Sequence, residues 1–154
     1  MSEGAKTRVL FVCVHNAARS QMAEALLRQV GGDRFEVESA GFEPRPVNPL
    51  AVEAMRRIGI DISAAKPRQV FALFRAGRHY QYVIAVCDEA SGERCPIFPG
   101  VSRRLHWSFE DPATFTGSDA EKLTKIETLR DAIRARVVEW IDELDRSARN
   151  PGMR

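Results

Sequence analysis

Four short stretches of the chain carry apolar residues in runs of strand length, separated by polar or helical segments. The first is 8–14 (RVLFVCV), and the second, 35–41 (FEVESAG), runs into a glycine. The third is 82–87 (YVIAVC), and the fourth is 104–109 (RLHWSF). Near-continuous apolar, β-branched runs are typical of strands that are covered on both faces of a parallel sheet.

Between and after these strands the apolar positions recur at helical spacing. A helix is predicted from Ser20 to a pair of glycines, a second over 49–58, and a long third capped by Ser118 or Asp119. Residues 60–70 could open a short helix or form a loop, because they contain a proline. The predicted apolar stripes are Met22, Leu26 and Val30 with Ala23 and Leu27 on the first helix, and Ile126, Leu129, Ile133, Val137, Trp140 or Ile141, and Leu144 on the last.

The alternation of strands and helices predicts an α/β fold. Right-handed βαβ units give a three-layer sandwich, with helices on both faces of a central, mostly parallel sheet of about four strands. The 154 residues fit a single domain, 1–154, with an ordered core over 8–146 and a frayed tail over 147–154. Ligands in such folds lie beyond the carboxyl ends of the strands, where Cys13 and Cys87 both fall.

Composition and charge narrow the choice of partner. The 23 basic and 21 acidic residues leave a formal charge of +2, and they are dispersed along the chain, which argues against nucleic-acid binding. The N-terminal MSEGAKTR is too short and polar for a signal peptide or a membrane span, so we expect a cytoplasmic protein with no membrane partner. In a reducing compartment the three cysteines are expected as thiols unless they are catalytic or redox active.

The loop that follows the first strand, CVHNAARS (13–20), is the strongest candidate for chemistry. A turn between a strand and a helix presents backbone N–H groups and the positive end of the helix dipole to an anion. Arg19 adds a planar fork for two oxygens of a tetrahedral oxyanion, and the same field favours the thiolate of Cys13. Ser20 is placed to donate to that sulfur, and Asn16 to brace the loop. The predicted oxyanion-binding residues are Val14, His15, Asn16, Ala17, Ala18, Arg19 and Ser20.

These residues also have a purely structural interpretation, as a buried thiol, a solvated arginine and a helix-capping serine. The order of strand, cysteine, five residues, Arg-Ser and helix favours a nucleophile. The nucleotide-binding patterns GxxxxGK[ST] and GxGxxG are both absent from the sequence.

The stretch VLFVCVHNAARSQMAEALL, with its Cys-X5-Arg-Ser loop, resembles the low-molecular-weight protein tyrosine phosphatase fold. It is still more similar to the thioredoxin-coupled arsenate reductases built on that fold. The resemblance continues in SAGFEPRPVNPLAVEAMRRIGIDIS, VCDEASGERCP and HWSFEDPA. It implies reduction of arsenate to arsenite without a cofactor, with electrons from thioredoxin or another dithiol.

The resemblance also implies roles for individual residues. Cys13 is the nucleophile, and Asp111 of the Asp-Pro pair protonates the departing group, with Glu110 a less suitable acid. Cys87 and Cys95 complete a thiol–disulfide relay with Cys13. Taken alone, Asp111 could equally be a turn aspartate before a proline.

Cys87 and Cys95 admit other interpretations. Here they are separated by seven residues, whereas the family pattern has six, and the polar loop between them makes closure of a disulfide inexpensive. Two inert thiols are one alternative. A structural zinc site is a weaker one, because there is no CxxC and a fourth ligand would come from a histidine without recognisable spacing. Those histidines are His15, His79 and His106.

Smaller features of the loop refine the resemblance. Some relatives bind potassium behind the loop, which implies a candidate site at Asn16, Glu24 and Ser39. Ala18 stands where relatives often have a second cysteine, which leaves Cys87 as the natural partner of Cys13. The loop histidine could touch substrate or be purely structural.

Three alternatives to a reductase remain open at the level of sequence. A phosphatase acting through a cysteinyl phosphate needs only Cys13, Arg19 and Asp111, although phosphotyrosine-specific members carry a tyrosine pair where this chain has 113–116 (ATFT). A non-catalytic oxyanion-binding or redox-sensing module would turn over neither substrate. A related reductase branch uses a low-molecular-weight thiol, against which the second and third cysteines argue.

Overall fold

The computed structural model describes residues 6–88, 98, 100 and 102–149. Within these residues four strands form one parallel sheet in the order β2-β1-β3-β4. The predicted α/β class and parallel sheet are confirmed. The strands are β1 (Thr7–Cys13), β2 (Phe35–Gly41), β3 (Tyr82–Ala85) and β4 (Arg103–His106).

Helices cover both faces of the sheet, as the three-layer prediction requires. α1 and α4 cover one face, with α2 packed on α4, and α3 lies with the smaller apolar cluster of the other face. The helices are α1 (Arg19–Gly31), α2 (Pro49–Arg56), α3 (Val70–Arg75) and α4 (Asp119–Arg149).

The alternation of side chains along β1 divides the core into two layers. Val9, Phe11 and Cys13 face the larger cluster beneath α1 and α4, whereas Leu10 and Val12 face the smaller cluster. Both stripes predicted from helical spacing lie in the larger cluster, with Val30 and Leu144 only partly buried at its margin. Cys13 therefore ends β1 on the side where α1 begins.

The fourth predicted strand, 104–109, was too long at its carboxyl end. β4 ends at His106, and the last ladder contact is the N–H of Trp107, which donates to the carbonyl of Ala85 at 2.8 Å. Trp107 is buried against Phe11 and Trp140, which draws the chain off the sheet edge. The apolar residues at the end of this stretch thus belong to an irregular segment that follows the strand.

The helix boundaries show what the pattern could and could not predict. α2 ends at Arg56, two residues earlier than predicted, and the ambiguous stretch 60–70 stays irregular until α3 begins at Val70. A short helix opened by Pro67 was one of the two possibilities left open; α3 begins three residues after Pro67, is six residues long and buries only Val70, too little for a helical stripe. None of the helices in the described residues is long and apolar enough to cross a membrane.

The start of α4 is fixed by a reciprocal cap at Ser118, one of the two predicted capping residues. The Ser118 hydroxyl accepts from the N–H of Glu121 at 3.1 Å, and the Glu121 carboxylate accepts from the N–H of Ser118 at 2.9 Å. The helix then continues to Arg149 without a break.

Candidate active site

The loop after β1 is held from its outer side by the segment 42–48. Four backbone amides of this segment donate to carbonyl groups of the loop, so these carbonyls are turned away from the Cys13 sulfur. The amide of Asn16 lies on the opposite, inner side and donates to the Cys13 sulfur at 3.1 Å. The four pairs are Phe42 to Cys13 (3.3 Å), Glu43 to Val14 (2.7 Å), Arg45 to His15 (3.0 Å) and Asn48 to Ala17 (2.8 Å).

Gly41 lets the loop approach the end of β2. A Cβ atom at this position would lie 2.7 Å from the backbone nitrogen of Asn16 and 2.8 Å from the carbonyl oxygen of Val14. Both are backbone atoms that cannot swing aside, so glycine is required by close approach. The register of the sheet places Gly41 beside Cys13, so the two strand ends meet directly below the loop.

Cys13 is a buried free thiol with three sources of positive potential around its sulfur. Its Sγ lies 2.9 Å from the Ser20 hydroxyl and accepts from the Asn16 N–H, and it sits before the N-terminus of α1. Because the Asn16 amide donates to Ser20 Oγ at 2.7 Å, the hydroxyl proton of Ser20 is left to point at the sulfur. Hydrogen-bond donors and the helix N-terminus thus surround the sulfur that the sequence predicts as the nucleophile.

Asn16 braces the loop from within, as its sequence position suggested. It is fully buried, has a left-handed backbone with φ of 52°, and uses both ends of its amide. Its Nδ2 donates to Ser20 and Ser39, and its Oδ1 accepts from Gln21 Nε2 and from the N–H of Arg68. The side chain therefore ties the loop to α1, β2 and the segment before α3.

Arg19 lies at the first turn of α1 and points across the site. Its guanidinium donates to the carbonyl of Phe109 at 3.1 Å and lies 3.7 Å from Asp111 Oδ2, while its side chain is only 3% exposed. Asp111 is 22% exposed, and its other oxygen accepts from the N–H of Ala113 at 3.0 Å. Asp111, the predicted acid, thus caps the short helical turn Pro112–Thr114, and this contact fixes its carboxylate at the rim of the cavity.

Cys13, Arg19 and Asp111 open into one cavity of about 410 Å³. No Phe, Tyr or Trp is among the described residues around it, which differs from the aromatic walls expected for phosphotyrosine. His15 belongs to the lining, and its Nδ1 lies 3.1 Å from the Glu43 carbonyl, a contact that fixes the ring. The other lining residues are Ala17, Ala18, Arg45, Pro46, Asn48, Pro49, Leu50, Ala113 and Asp119.

Cys87 is fully buried two residues beyond β3, in the same apolar cluster as Cys13. Its sulfur lies 3.9 Å from the carbonyl oxygen of Val12, the residue that precedes the nucleophile. Its carbonyl is 2.8 Å from Nε2 of His106 at the end of β4. Cys95 and the proposed relay contact lie outside the described residues.

The candidate potassium residues Glu24 and Ser39 lie together behind the loop. Ser39 Oγ donates to the Glu24 carboxylate at 2.6 Å. That carboxylate also faces two arginines, with Arg28 at 2.6 Å and Arg68 at 3.6 Å. In the part of the chain that the structure describes, no group of three or more His, Cys, Asp or Glu side chains could hold a metal ion.

Sequence reasoning missed several groups that support the loop. The segment 42–48 acts through backbone amides, which leave no mark in the side-chain pattern. Gln21 donates from one nitrogen to both the carbonyl and the side-chain oxygen of Asn16. Arg68 lies in the stretch whose structure was ambiguous, so its approach to Glu24 could not be anticipated.

A sequence profile of the low molecular weight phosphotyrosine protein phosphatase family matches residues 8–150. The chain belongs to this family. One relative is named arsenate reductase, from Bacillus subtilis. It is 37% identical to this chain, and the match covers 87% of this chain and 94% of the relative. The arsenate reductase of Halalkalibacterium halodurans is 39% identical over 86% of this chain and 93% of its own length.

Solved structures described as arsenate reductases are also similar to this chain. A structure described as an arsenate reductase in the oxidized state is 28% identical, with a TM-score of 0.70, and the match covers 89% of this chain and 98% of that one. The thioredoxin-dependent arsenate reductase of Corynebacterium glutamicum is 32% identical, with a TM-score of 0.64. This match covers 95% of the present chain and 65% of the solved one.

Proposed function

We propose that this protein is an arsenate reductase that converts arsenate to arsenite. The observation that carries the proposal is the set formed by Cys13, Arg19 and Asp111, which line one cavity whose described lining contains no Phe, Tyr or Trp. Support comes from relatives named arsenate reductase that match most of the chain. The oxyanion-binding groups are the backbone amides of residues 14–20 and the Arg19 guanidinium.

In the first step the Cys13 thiolate attacks arsenic and forms a sulfur–arsenic bond. The bond from arsenic to one arsenate hydroxyl breaks, and the hydroxyl leaves as water with one proton supplied by Asp111 at the cavity rim. General acid assistance of this kind contributes about 10²–10⁴-fold in rate. Arsenic is still pentavalent after this step, so no electrons have been transferred.

In the second step Cys87 attacks the Cys13 sulfur. The sulfur–arsenic bond breaks, its electron pair stays on arsenic, and arsenite leaves with a Cys13–Cys87 disulfide behind it. Cys95 then attacks Cys87, which frees Cys13 as a thiolate and moves the disulfide to Cys87–Cys95. An external dithiol, thioredoxin or a protein like it, reduces that disulfide, so the two electrons balance.

The position of Cys87 supports the second step. Its sulfur lies 3.9 Å from the carbonyl oxygen of Val12, the residue before Cys13, so Cys87 lies beside the end of the strand that carries the nucleophile. Because Cys87 is fully buried, direct reduction of a Cys13–Cys87 disulfide by another protein would be hindered. Attack by Cys95 on Cys87 would transfer the disulfide to Cys87–Cys95, so that the reductant need not reach the buried Cys13–Cys87 pair. We propose a cytoplasmic location for the reaction, because that compartment supplies reducing dithiols.

The test is arsenate-dependent NADPH oxidation with thioredoxin and thioredoxin reductase. Wild type should turn over, and Cys13→Ser, Cys87→Ser and Cys95→Ser should each abolish turnover. Omission of arsenate from each reaction controls for direct oxidation of the thiols. The proposal would be refuted if thioredoxin reduces the wild-type protein but arsenate causes no oxidation of NADPH.

A phosphatase activity is the second candidate, and family membership together with the Cys13, Arg19 and Asp111 set favours it. The cysteinyl phosphate formed on Cys13 would be hydrolysed by water, without Cys87 or Cys95. Aryl phosphate hydrolysis that needs Cys13 and survives Cys87→Ser and Cys95→Ser, in a protein with no arsenate-dependent turnover, would establish this alternative.

A further inference from the structure

A hydrogen-bonded chain connects the nucleophile to a buried carboxylate. From Cys13 it passes to the Ser20 hydroxyl, to the Asn16 amide, to the Ser39 hydroxyl and ends at Glu24. The heavy-atom distances along it are 2.9, 2.7, 2.9 and 2.6 Å. We call this the Glu24–Cys13 chain. A displacement of the Glu24 carboxylate would therefore change the hydrogen bond between the Ser20 hydroxyl and the Cys13 sulfur.

Glu24 needs a positive partner to remain in place. Its side chain is only 9% exposed, and a buried carboxylate is costly unless it is paired and hydrogen-bonded. Arg28, one turn further along α1, contacts one carboxylate oxygen at 2.6 Å. Arg68 approaches the other oxygen at 3.6 Å.

The backbone of Arg68 is itself fixed to the site. Its N–H donates to the side-chain oxygen of Asn16 at 2.9 Å, and its carbonyl accepts from the N–H of Gly41 at 2.8 Å. The Arg68 backbone is thus bound to both the loop and the end of β2, and its guanidinium extends from there to Glu24.

The residues of the candidate potassium site do not fit a potassium ion in this chain. Hard cations are held by several oxygens at once. Here the Asn16 oxygen already accepts from Gln21 and from the Arg68 N–H. Ser39 Oγ lies between the Asn16 amide and Glu24, and both oxygens of Glu24 face arginines.

We propose that Arg68, with Arg28, takes the place of a bound monovalent cation and makes this site independent of potassium. Arg68 touches neither Cys13 nor the oxyanion cavity, so it is a positioning residue that acts through Glu24 and the Glu24–Cys13 chain. The inference rests on the geometry behind the loop, and it holds whether the site reduces arsenate or hydrolyses phosphate esters.

Thermal unfolding in two chloride salts of equal ionic strength tests the proposal. The salts are potassium chloride and tetramethylammonium chloride, whose cation is too large for the site. Wild type should melt within about 1 °C in the two salts. Arg68→Ala should melt lower in tetramethylammonium and recover by about 3–5 °C in potassium, the gain expected at about ten times the Kd of the ion.

Three further variants separate charge compensation from a general loss of stability. Arg75→Ala removes an exposed arginine at the end of α3 and should respond to neither salt. The double variant Glu24→Gln with Arg68→Ala lacks the buried charge and should lose the potassium response. Arg68→Gln keeps most of the side-chain stem and carries the same prediction as Arg68→Ala, should the alanine variant fail to fold.

The activity of the same variants gives a second readout. Turnover of Arg68→Ala should rise several-fold from tetramethylammonium to potassium, and wild-type turnover should not change. A wild-type melting temperature that rises with potassium as much as that of Arg68→Ala would overturn the proposal. So would Arg68→Ala and Arg68→Gln variants that melt alike in both salts. Because melting needs no turnover, these outcomes are independent of the proposed reaction.

Discussion

At the scale of single residues, the site is built to hold negative charge. Cys13 is surrounded by a hydroxyl, a backbone amide and a helix N-terminus, and Arg19 is oriented by the Phe109 carbonyl and by Asp111. In the proposed reaction the same donors stabilise the attacking sulfur and bind the incoming oxyanion, so nucleophile and substrate depend on one set of groups. Removal of any one donor should therefore affect the chemistry more than the fold.

Ser20→Ala should lower kcat/KM for arsenate by about 10–100-fold, because the sulfur loses a hydrogen bond to its charged form. The melting temperature should fall by only a few degrees, because the buried Asn16 amide also loses an acceptor. Ser102→Ala is the control, since the Ser102 hydroxyl donates to the carbonyl of Tyr80, far from the loop. Equal losses of activity in the two variants would show that Ser20 has no special role.

Asp111→Asn should lower kcat by about 10²–10⁴-fold if Asp111 is the general acid. The amide oxygen of asparagine can still accept from the N–H of Ala113, so the turn should be preserved. Glu110→Gln removes a neighbouring carboxylate and should leave kcat within about twofold. A similar loss in the two variants would argue for a general electrostatic effect instead of proton donation.

At the scale of elements, the loop between β1 and α1 is shaped by its neighbours as much as by its own residues. The segment 42–48 holds four of its carbonyl groups, and Gly41 allows the contact. The loop sequence could be assigned from the Cys-X5-Arg-Ser spacing. The segment that supports it could not, because its contribution is made by backbone groups.

Gly41→Ala should abolish oxyanion binding, because its Cβ would meet loop backbone at 2.7 Å. The measurement is the rise in melting temperature with added inorganic phosphate, which binding to the native state produces. Gly59→Ala is the control: it strains a backbone with φ of 83° but meets nothing within 4 Å. It should lower stability and keep the phosphate response. A full phosphate response in Gly41→Ala would contradict the account.

At the scale of the whole molecule, several carboxylates are held in their charged form by the fold. The pKa of Glu38 is lowered despite partial burial, which by itself would raise it, because Tyr80 and Arg78 donate to the carboxylate. Hydrogen bonds from Arg56 and Arg57 lower the pKa of Glu53 to about 2. Such groups stabilise the native state above their unfolded pKa, and the contribution is lost as pH falls through their native pKa.

The free energy of unfolding should therefore fall as pH is lowered from about 5 toward 2. Glu38→Gln should lower stability at neutral pH and make the remaining dependence on acid shallower, because the variant has no carboxylate to protonate there. Urea unfolding at a series of pH values measures both effects. A variant with an acid dependence as steep as that of wild type would contradict the assignment to Glu38.

The sequence was sufficient to predict the four strands and three of the four helices in chain order, because buried strands and amphipathic helices of normal length leave clear patterns. It failed where few side chains are buried, as in α3, and where a buried aromatic such as Trp107 extends an apolar run beyond its strand. At the site, the spacing indicated Cys13 and Arg19. The contribution of Arg68 depends on tertiary contacts that no local pattern encodes.

The most direct test of the central claim is the arsenite yield of Cys95→Ser and Cys87→Ser in a single turnover. The relay predicts about one arsenite per Cys95→Ser molecule, with a Cys13–Cys87 disulfide in the peptide map and no further turnover with thioredoxin. It predicts no arsenite from Cys87→Ser. Sustained turnover by Cys95→Ser, or an equal yield of arsenite from both variants, would contradict it.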